Sequence, residues 1–270
     1  MRVLSEKDIK QSIFEILSAF ADYCDTHGLR YYLCGGTLLG AVRHKDFIPW
    51  DDDIDILMPR PDYIRLQKLV EKQPIASYYH FKCFEQGSSL FPFGKIVDIR
   101  TKVVTKYNDL DSVLWIDIFP MDGVPDDQKR CDYILKKAHK WKIMHGRTMA
   151  KIGTGTTYLK KILKLPFLIV PHVIGTKRCA KHLDVLAKRY NFDECEYVAG
   201  ITWSNGPLER MKKEDFIPYE DKEFHGRMFH APACWDFYLK AMYGDYMKLP
   251  PQNKRYAHMI DAYWIGDMKE

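Results

Sequence analysis

Four aspartates fall within five residues, at Asp51, Asp52, Asp53 and Asp55. No other feature restricts the fold as tightly. Carboxylates packed this closely repel one another, so a folded chain either spreads them in solvent or sets them around a cation. The cluster lies in the stretch LCGGTLLGAVRHKDFIPWDDDIDILM, from Leu33 to Met58. Alternation across Asp53–Met58 predicts a strand with Asp53 and Asp55 on one face and Ile54 and Ile56 on the other. Two such carboxylates leave the backbone about 7 Å apart and can converge on one divalent ion. Oxygen-only ligands favour Mg²⁺, with Mn²⁺ as the alternative. The competing reading is a solvated acidic face or a helix cap.

The residues before the cluster suit an anion. Arg30–Cys34 reads as a strand ended by Gly35-Gly36, and Thr37–Arg43 as a short helix behind it. Two glycines let backbone amides approach a ligand, and a helix N-terminus favours a phosphate. A tight strand-to-helix turn explains the same glycines equally well. Further on, Val113–Phe119 alternates about Asp117, which Ile116 and Ile118 flank. An acid there is costly to bury unless paired or metal-bound, which makes Asp117 the natural third carboxylate. Lys95 opens another strand after Phe91-Pro-Phe-Gly94. It can neutralise a phosphate or pair with one of the aspartates.

The remaining pattern is that of an ordinary globular chain. Residues 5–27 predict an amphipathic helix with a Ser5/Asp8 capping box and a stop at His27-Gly28. Tyr63–Lys72 predicts a helix, and Tyr79–Phe84 and Lys95–Arg100 predict strands. TWSNGPLERMKKEDFIP, from Thr202, reads as strand, turn and loop, and 234–247 as a helix stopped at Gly244. His258, near the C-terminus, reads as structural. At 270 residues the chain can bury a large core. Its seven cysteines form no CxxC pair, which suits a reducing compartment, and Cys179, His182 and Cys195 lack an obvious fourth zinc ligand.

Charge is unevenly spread. Residues 129–189 hold sixteen Lys/Arg against Asp132 and Asp184, a balance of +14 that leaves −9 for the rest of the +5 chain. Cations interleaved with Leu, Ile and Phe suit an anionic membrane surface, while a helical subdomain with solvated lysines is the plainer reading. No recognition motif for nucleic acid accompanies the charge. The N-terminus has no apolar signal-peptide core. The longest apolar run, 162–174, is interrupted by Lys164, Pro166 and Pro171. A cytoplasmic protein is expected, with a peripheral position at the inner face of the plasma membrane as the variant.

Three segments together resemble a known family. GGTLLGAVRHKDFIPWDDDIDI, WIDIFPMDGVP and YGDYMKLPP (Tyr243–Pro251) are similar to the LicD family of phosphocholine transferases. That family belongs to the nucleotidyltransferase-fold superfamily, with the fukutin-related glycosylation enzymes. The superfamily signature, Gly-Gly followed by Asp-apolar-Asp, maps to Gly35-Gly36 and Asp53-Ile54-Asp55. The gap is lengthened by Arg43–Trp50, which leaves the roles of Asp51 and Asp52 open.

The resemblance implies an α+β fold, a nucleotidyltransferase-like mixed sheet flanked by helices. Asp53, Asp55 and Asp117 are then the catalytic and metal-holding residues. Gly35, Gly36 and Thr37 hold phosphate, Arg43 and Lys95 are counter-charges, and Trp50 is an aromatic for the donor. The implied division is a catalytic core at 1–128, a basic helical subdomain at 129–190 for membrane or acceptor docking, and a completing part at 191–270. The implied donor is CDP-choline and the implied acceptor a sugar hydroxyl of lipid-linked teichoic acid or lipopolysaccharide. CDP-ribitol is the alternative donor, and a non-catalytic nucleotide- or metal-binding scaffold the alternative class. No nucleic-acid partner is expected.

Overall fold

The computed structural model describes residues 1–104, 113–150, 169–255 and 261–266. The first helix, α1 (Glu6–His27), shows how closely local signals are obeyed. The Ser5 hydroxyl accepts from the Asp8 amide at 3.2 Å, and the Asp8 carboxylate accepts from the Ser5 amide at 2.9 Å. Ile9, Ile13, Ile16, Leu17, Phe20 and Cys24 bury one helical face. Gly28 then takes the left-handed conformation, φ 59°, that a side chain would resist.

After β1 (Arg2–Val3) and α1 come β2 (Tyr32–Leu33), α2 (Gly35–His44), β3 (Asp55–Pro59) and α3 (Arg60–Lys72). Strands β4 (Tyr79–Lys82), β5 (Gly94–Asp98), β6 (Thr101–Val104) and β7 (Leu114–Val124) follow. The sheet that carries the aspartates runs in the order β2-β3-β7-β5-β4, with β3 and β7 parallel and the other pairs antiparallel. Helix α1 packs against β7 and β5. The fold is α+β, a mixed sheet flanked by helices.

Two boundaries differ from the sequence pattern. Helix α2 starts at Gly35 rather than after the glycines, so Gly35 and Gly36 form its first turn. Strand β3 starts at Asp55, not Asp53. The Asp117 amide bonds the Ile54 carbonyl at 2.9 Å and the Cys34 amide bonds the Asp55 carbonyl at 3.1 Å, so pairing on both sides begins there. Strand β7 also runs through Pro120 to Val124. Proline is tolerated in this central strand because the β5 ladder ends opposite Ile118 and the ladder to β8 (Tyr197–Ala199) begins opposite Asp122.

The second half wraps the sheet. Helices α4 (Gln128–Met149) and α5 (Thr176–Ala187) pack together over a separate cluster of Ile134, Leu135, Ala138, Leu183 and Leu186. Val124 of β7 and Ala199 of β8 (Tyr197–Ala199) belong to that cluster, so the basic segment is seated on the sheet. No strand forms at Thr202–Trp203. A 3₁₀ turn at Pro207–Glu209 leads instead to β9 (Met211–Lys212) and the single turn α6 (Lys213–Phe216). A hairpin of β10 (Tyr219–Phe224) and β11 (Arg227–Pro232) turns at His225-Gly226, both at positive φ. Helix α7 (Trp235–Tyr243) ends at Gly244, and β12 (Asp261–Trp264) joins β1 to β6. His258 lies outside the described residues.

Candidate active site

Sheet register brings the acids together. Asp55 on β3 stands opposite Asp117 on β7, and Asp117 stands opposite Lys95 on β5. Three strands thus place carboxylate, carboxylate and ammonium on one rung. Lys95 Nζ lies 3.3 Å from Asp117 Oδ1. Its buried side chain runs between aromatic faces, with Nζ 4.2 Å from the Phe91 ring and 4.3 Å from the Trp115 ring. Of the two roles open to Lys95, pairing with an aspartate is the one shown.

The Asp55 carboxyl is held well above the usual carboxylate range. Burial is the main cause, followed by the charges of Asp53, Asp117 and Asp51, with Lys95 opposing them. The charges of the four acids therefore act on one another in a partly buried region. Among the described residues, no three or more His, Cys, Asp or Glu side chains are gathered as a metal-binding group. The donors are nevertheless all carboxylate oxygens, with repulsion at Asp55 that a cation would relieve. That chemistry fits a hard divalent ion.

The glycines take on a sharper purpose than a generic turn. Gly35 has φ +53°, and a Cβ there would stand 2.7 Å from Asp55 Oδ2. A Cβ on Gly36 would collide with Asp51 Oδ2. Both residues lack side chains where carboxylates must press against the start of α2. Thr37 completes the lock: its Oγ1 accepts from the Asp55 amide at 2.9 Å. The Gly35 amide donates to the Tyr238 hydroxyl at 3.2 Å.

Arg43 and Trp50 sit around this centre. Arg43 donates to the Tyr246 carbonyl at 2.9 Å and to His44 Nε2 at 2.9 Å, which ties α2 to the segment after α7. The Arg255 guanidinium lies 4.9 Å from the Trp50 ring centroid. Asp52 and Asp53 are half-buried on the approach to β3.

Tyr243 carries chemistry that the residue pattern alone did not disclose. It opens the YGDYMKLPP segment, and burial together with the charges of Asp55, Cys34, Asp51 and Asp53 holds its hydroxyl proton on. The phenol therefore stays neutral within range of the acids' charge. The signal was only positional, a tyrosine immediately before the Gly244 helix stop. Asp122, the second acid of the WIDIFPMDG segment, has a different job. Arg60 grips it with bonds of 2.6 and 2.9 Å in the interior, linking the start of α3 to β7.

A Gly-Gly helix start pressed against carboxylates on parallel neighbouring strands marks the nucleotidyltransferase-fold class. The LicD/FKTN/FKRP nucleotidyltransferase domain profile matches residues 28–157, which span the rung. The lipopolysaccharide cholinephosphotransferase LicD of Haemophilus influenzae is 32% identical over 271 residues, 98% of this chain and all of that protein. The ribitol 5-phosphate transferase FKRP of Homo sapiens is 66% identical over 29 residues, 11% of this chain and 6% of that protein. The chain belongs to the LicD family and is a phosphotransferase.

Proposed function

We propose that the chain transfers phosphocholine from CDP-choline to a sugar hydroxyl of a lipopolysaccharide-type glycan and releases CMP. The observation that carries this reading is the end-to-end similarity to a lipopolysaccharide cholinephosphotransferase, in a chain that has the Asp55–Asp117–Lys95 rung.

In this reading the acceptor oxygen attacks the phosphorus that bears choline. The bond from that phosphorus to the bridging oxygen breaks, and CMP leaves with the bond's electron pair. Asp117 is the middle member of the rung, and its side chain is 15% exposed, so it can take the hydroxyl proton. Asp53, Asp55 and Asp117 are the residues that would hold Mg²⁺, which supplies neutralisation of the charge that builds on phosphoryl oxygens. Lys95 restrains Asp117, and the N-terminus of α2 offers amides to a phosphate. The Tyr243 hydroxyl can donate to a phosphoryl oxygen. Arg43 holds the Tyr246 segment in place, so its service to the donor is through position.

The local match to a ribitol 5-phosphate transferase supports a second donor, CDP-ribitol. A panel of CDP-choline, CDP-ribitol and CTP, read by CMP or pyrophosphate release with acceptor present, tests the assignment. CMP from CDP-choline alone is expected. Turnover of CDP-ribitol with none of CDP-choline would move the chain to the second donor.

A further inference from the structure

Helix α4 carries a continuous exposed stripe. Lys129, Tyr133, Lys136, Lys140, Ile143 and Arg147 are spaced at four, three, four, three and four residues, and all are exposed. The opposite face is buried against α5. Helix α5 adds exposed Lys177, Arg178, Lys181 and Val185. The helical residues 169–174 leave Ile169, Val170 and Val173 exposed, Val173 by 75%. The acids of this region do not interrupt the stripe: Asp132 accepts from Gln128 and Asp184 pairs with Lys188.

We propose that this face of α4, α5 and residues 169–174 docks on an anionic lipid bilayer. Cations alone would suit any polyanion. Exposed aliphatic and aromatic side chains set among them are rewarded only where apolar surface can leave water, at the boundary of headgroups and acyl chains. Tyr133 is 65% exposed, Val185 61% and Ile143 40%, so apolar side chains stand in water among the cations. A nucleic-acid backbone would reward the lysines but not these residues.

The surface also leads to the reaction centre. At the end of α4, His145 Nε2 meets the Leu90 carbonyl at 2.9 Å, and its ring lies 5.8 Å from Phe91. Phe91 in turn packs on Lys95. The wall of the active site thus packs against the buried face of α4, behind the docking stripe. The surface stands independently of the donor, since vesicle binding can fail while CMP release persists.

The test is co-sedimentation of the full chain with vesicles of three parts phosphatidylcholine to one part phosphatidylglycerol, against pure phosphatidylcholine. Salt is set at about 0.05 M and about 0.5 M. Binding to the anionic vesicles at low salt, weakened at high salt, is expected. Lys136→Gln with Lys140→Gln should weaken it about twenty-five-fold, at roughly fivefold per lysine. Tyr133→Ser with Ile143→Ser should weaken it while leaving the charge intact, and both double variants should keep the wild-type unfolding midpoint. The proposal is overturned by any of three results: no association at low salt, unchanged binding of the folded lysine variant, or a duplex DNA preferred over the vesicles and indifferent to the apolar substitutions.

Discussion

Asp55 and Asp117 face one another across two parallel strands, although sixty-two positions separate them in the chain. Parallel pairing requires a long crossover, and here it includes α3, β4, β5 and β6. The rung is therefore a product of the whole first half of the fold. The Asp122–Arg60 pair lies further along the same strand and steadies the arrangement from the interior.

That interior pair separates stability from catalysis. Asp122→Leu leaves Arg60 buried beside Glu85 alone, at 3.4 Å. A loss of about 3 kcal/mol in unfolding free energy is expected, the usual cost of breaking a buried pair. Denaturant titration measures it. The fraction that stays folded should turn over donor at a rate close to wild type.

Gly36→Ala is expected to do the reverse. The new methyl displaces the Asp51 carboxylate, which is half-exposed and can swing outward at little cost in stability. Steady-state kinetics should show kcat down by about tenfold or more, an amount consistent with about 1.4 kcal/mol of lost transition-state stabilisation. Gly35→Ala should be worse, because it adds backbone strain at φ +53°.

Tyr243→Phe removes one hydroxyl beside the acids. The ring is 43% exposed, so unfolding free energy should change by no more than about 0.5 kcal/mol. A fall in kcat of about tenfold is expected if the phenol donates to the reacting phosphoryl group. An unchanged kcat would make Tyr243 a spacer.

Glu209 gives the fold a pH dependence. Burial pushes its carboxyl up to about 7 from an ordinary 4.5, against the lowering pull of Asn205, which donates from its backbone and side chain, and of the Lys142 charge. The folded chain then keeps a proton that the unfolded chain has released. Stability should fall as pH rises from about 4.5 and level off above about 7, by at most about 3 kcal/mol. Urea titrations across that window should show the slope, and Glu209→Gln should flatten it.

Much of this was legible in the residues. The capping box, the α1 face and the Gly28 stop are local signals and were obeyed. The alternation about Asp117 located a central strand, and the family resemblance agrees with the similarity found over the full chain. What escaped was whatever depended on register or on distant packing. Nothing in the pattern ranked the phosphate and aspartate roles of Lys95; the pairing of β5 with β7 sets its ammonium beside Asp117. The glycines read as a phosphate turn or a tight strand-to-helix turn, and the pattern did not disclose that Asp55 and Asp51 occupy their side-chain positions. The hairpin at His225-Gly226 lacked the Asn-Gly that usually announces such a turn. Tyr243 reached the acids only because α7 folds back on α2.

The carboxylate rung is the proposed seat of phosphocholine transfer. The most direct test of that assignment is CMP release from CDP-choline, with acceptor and Mg²⁺, by wild type, Asp55→Asn and Asp117→Asn, each checked for an unchanged fold by circular dichroism. Release by the wild type and a loss of about a thousandfold or more in each variant are expected. Wild-type rates in either folded variant would contradict the assignment.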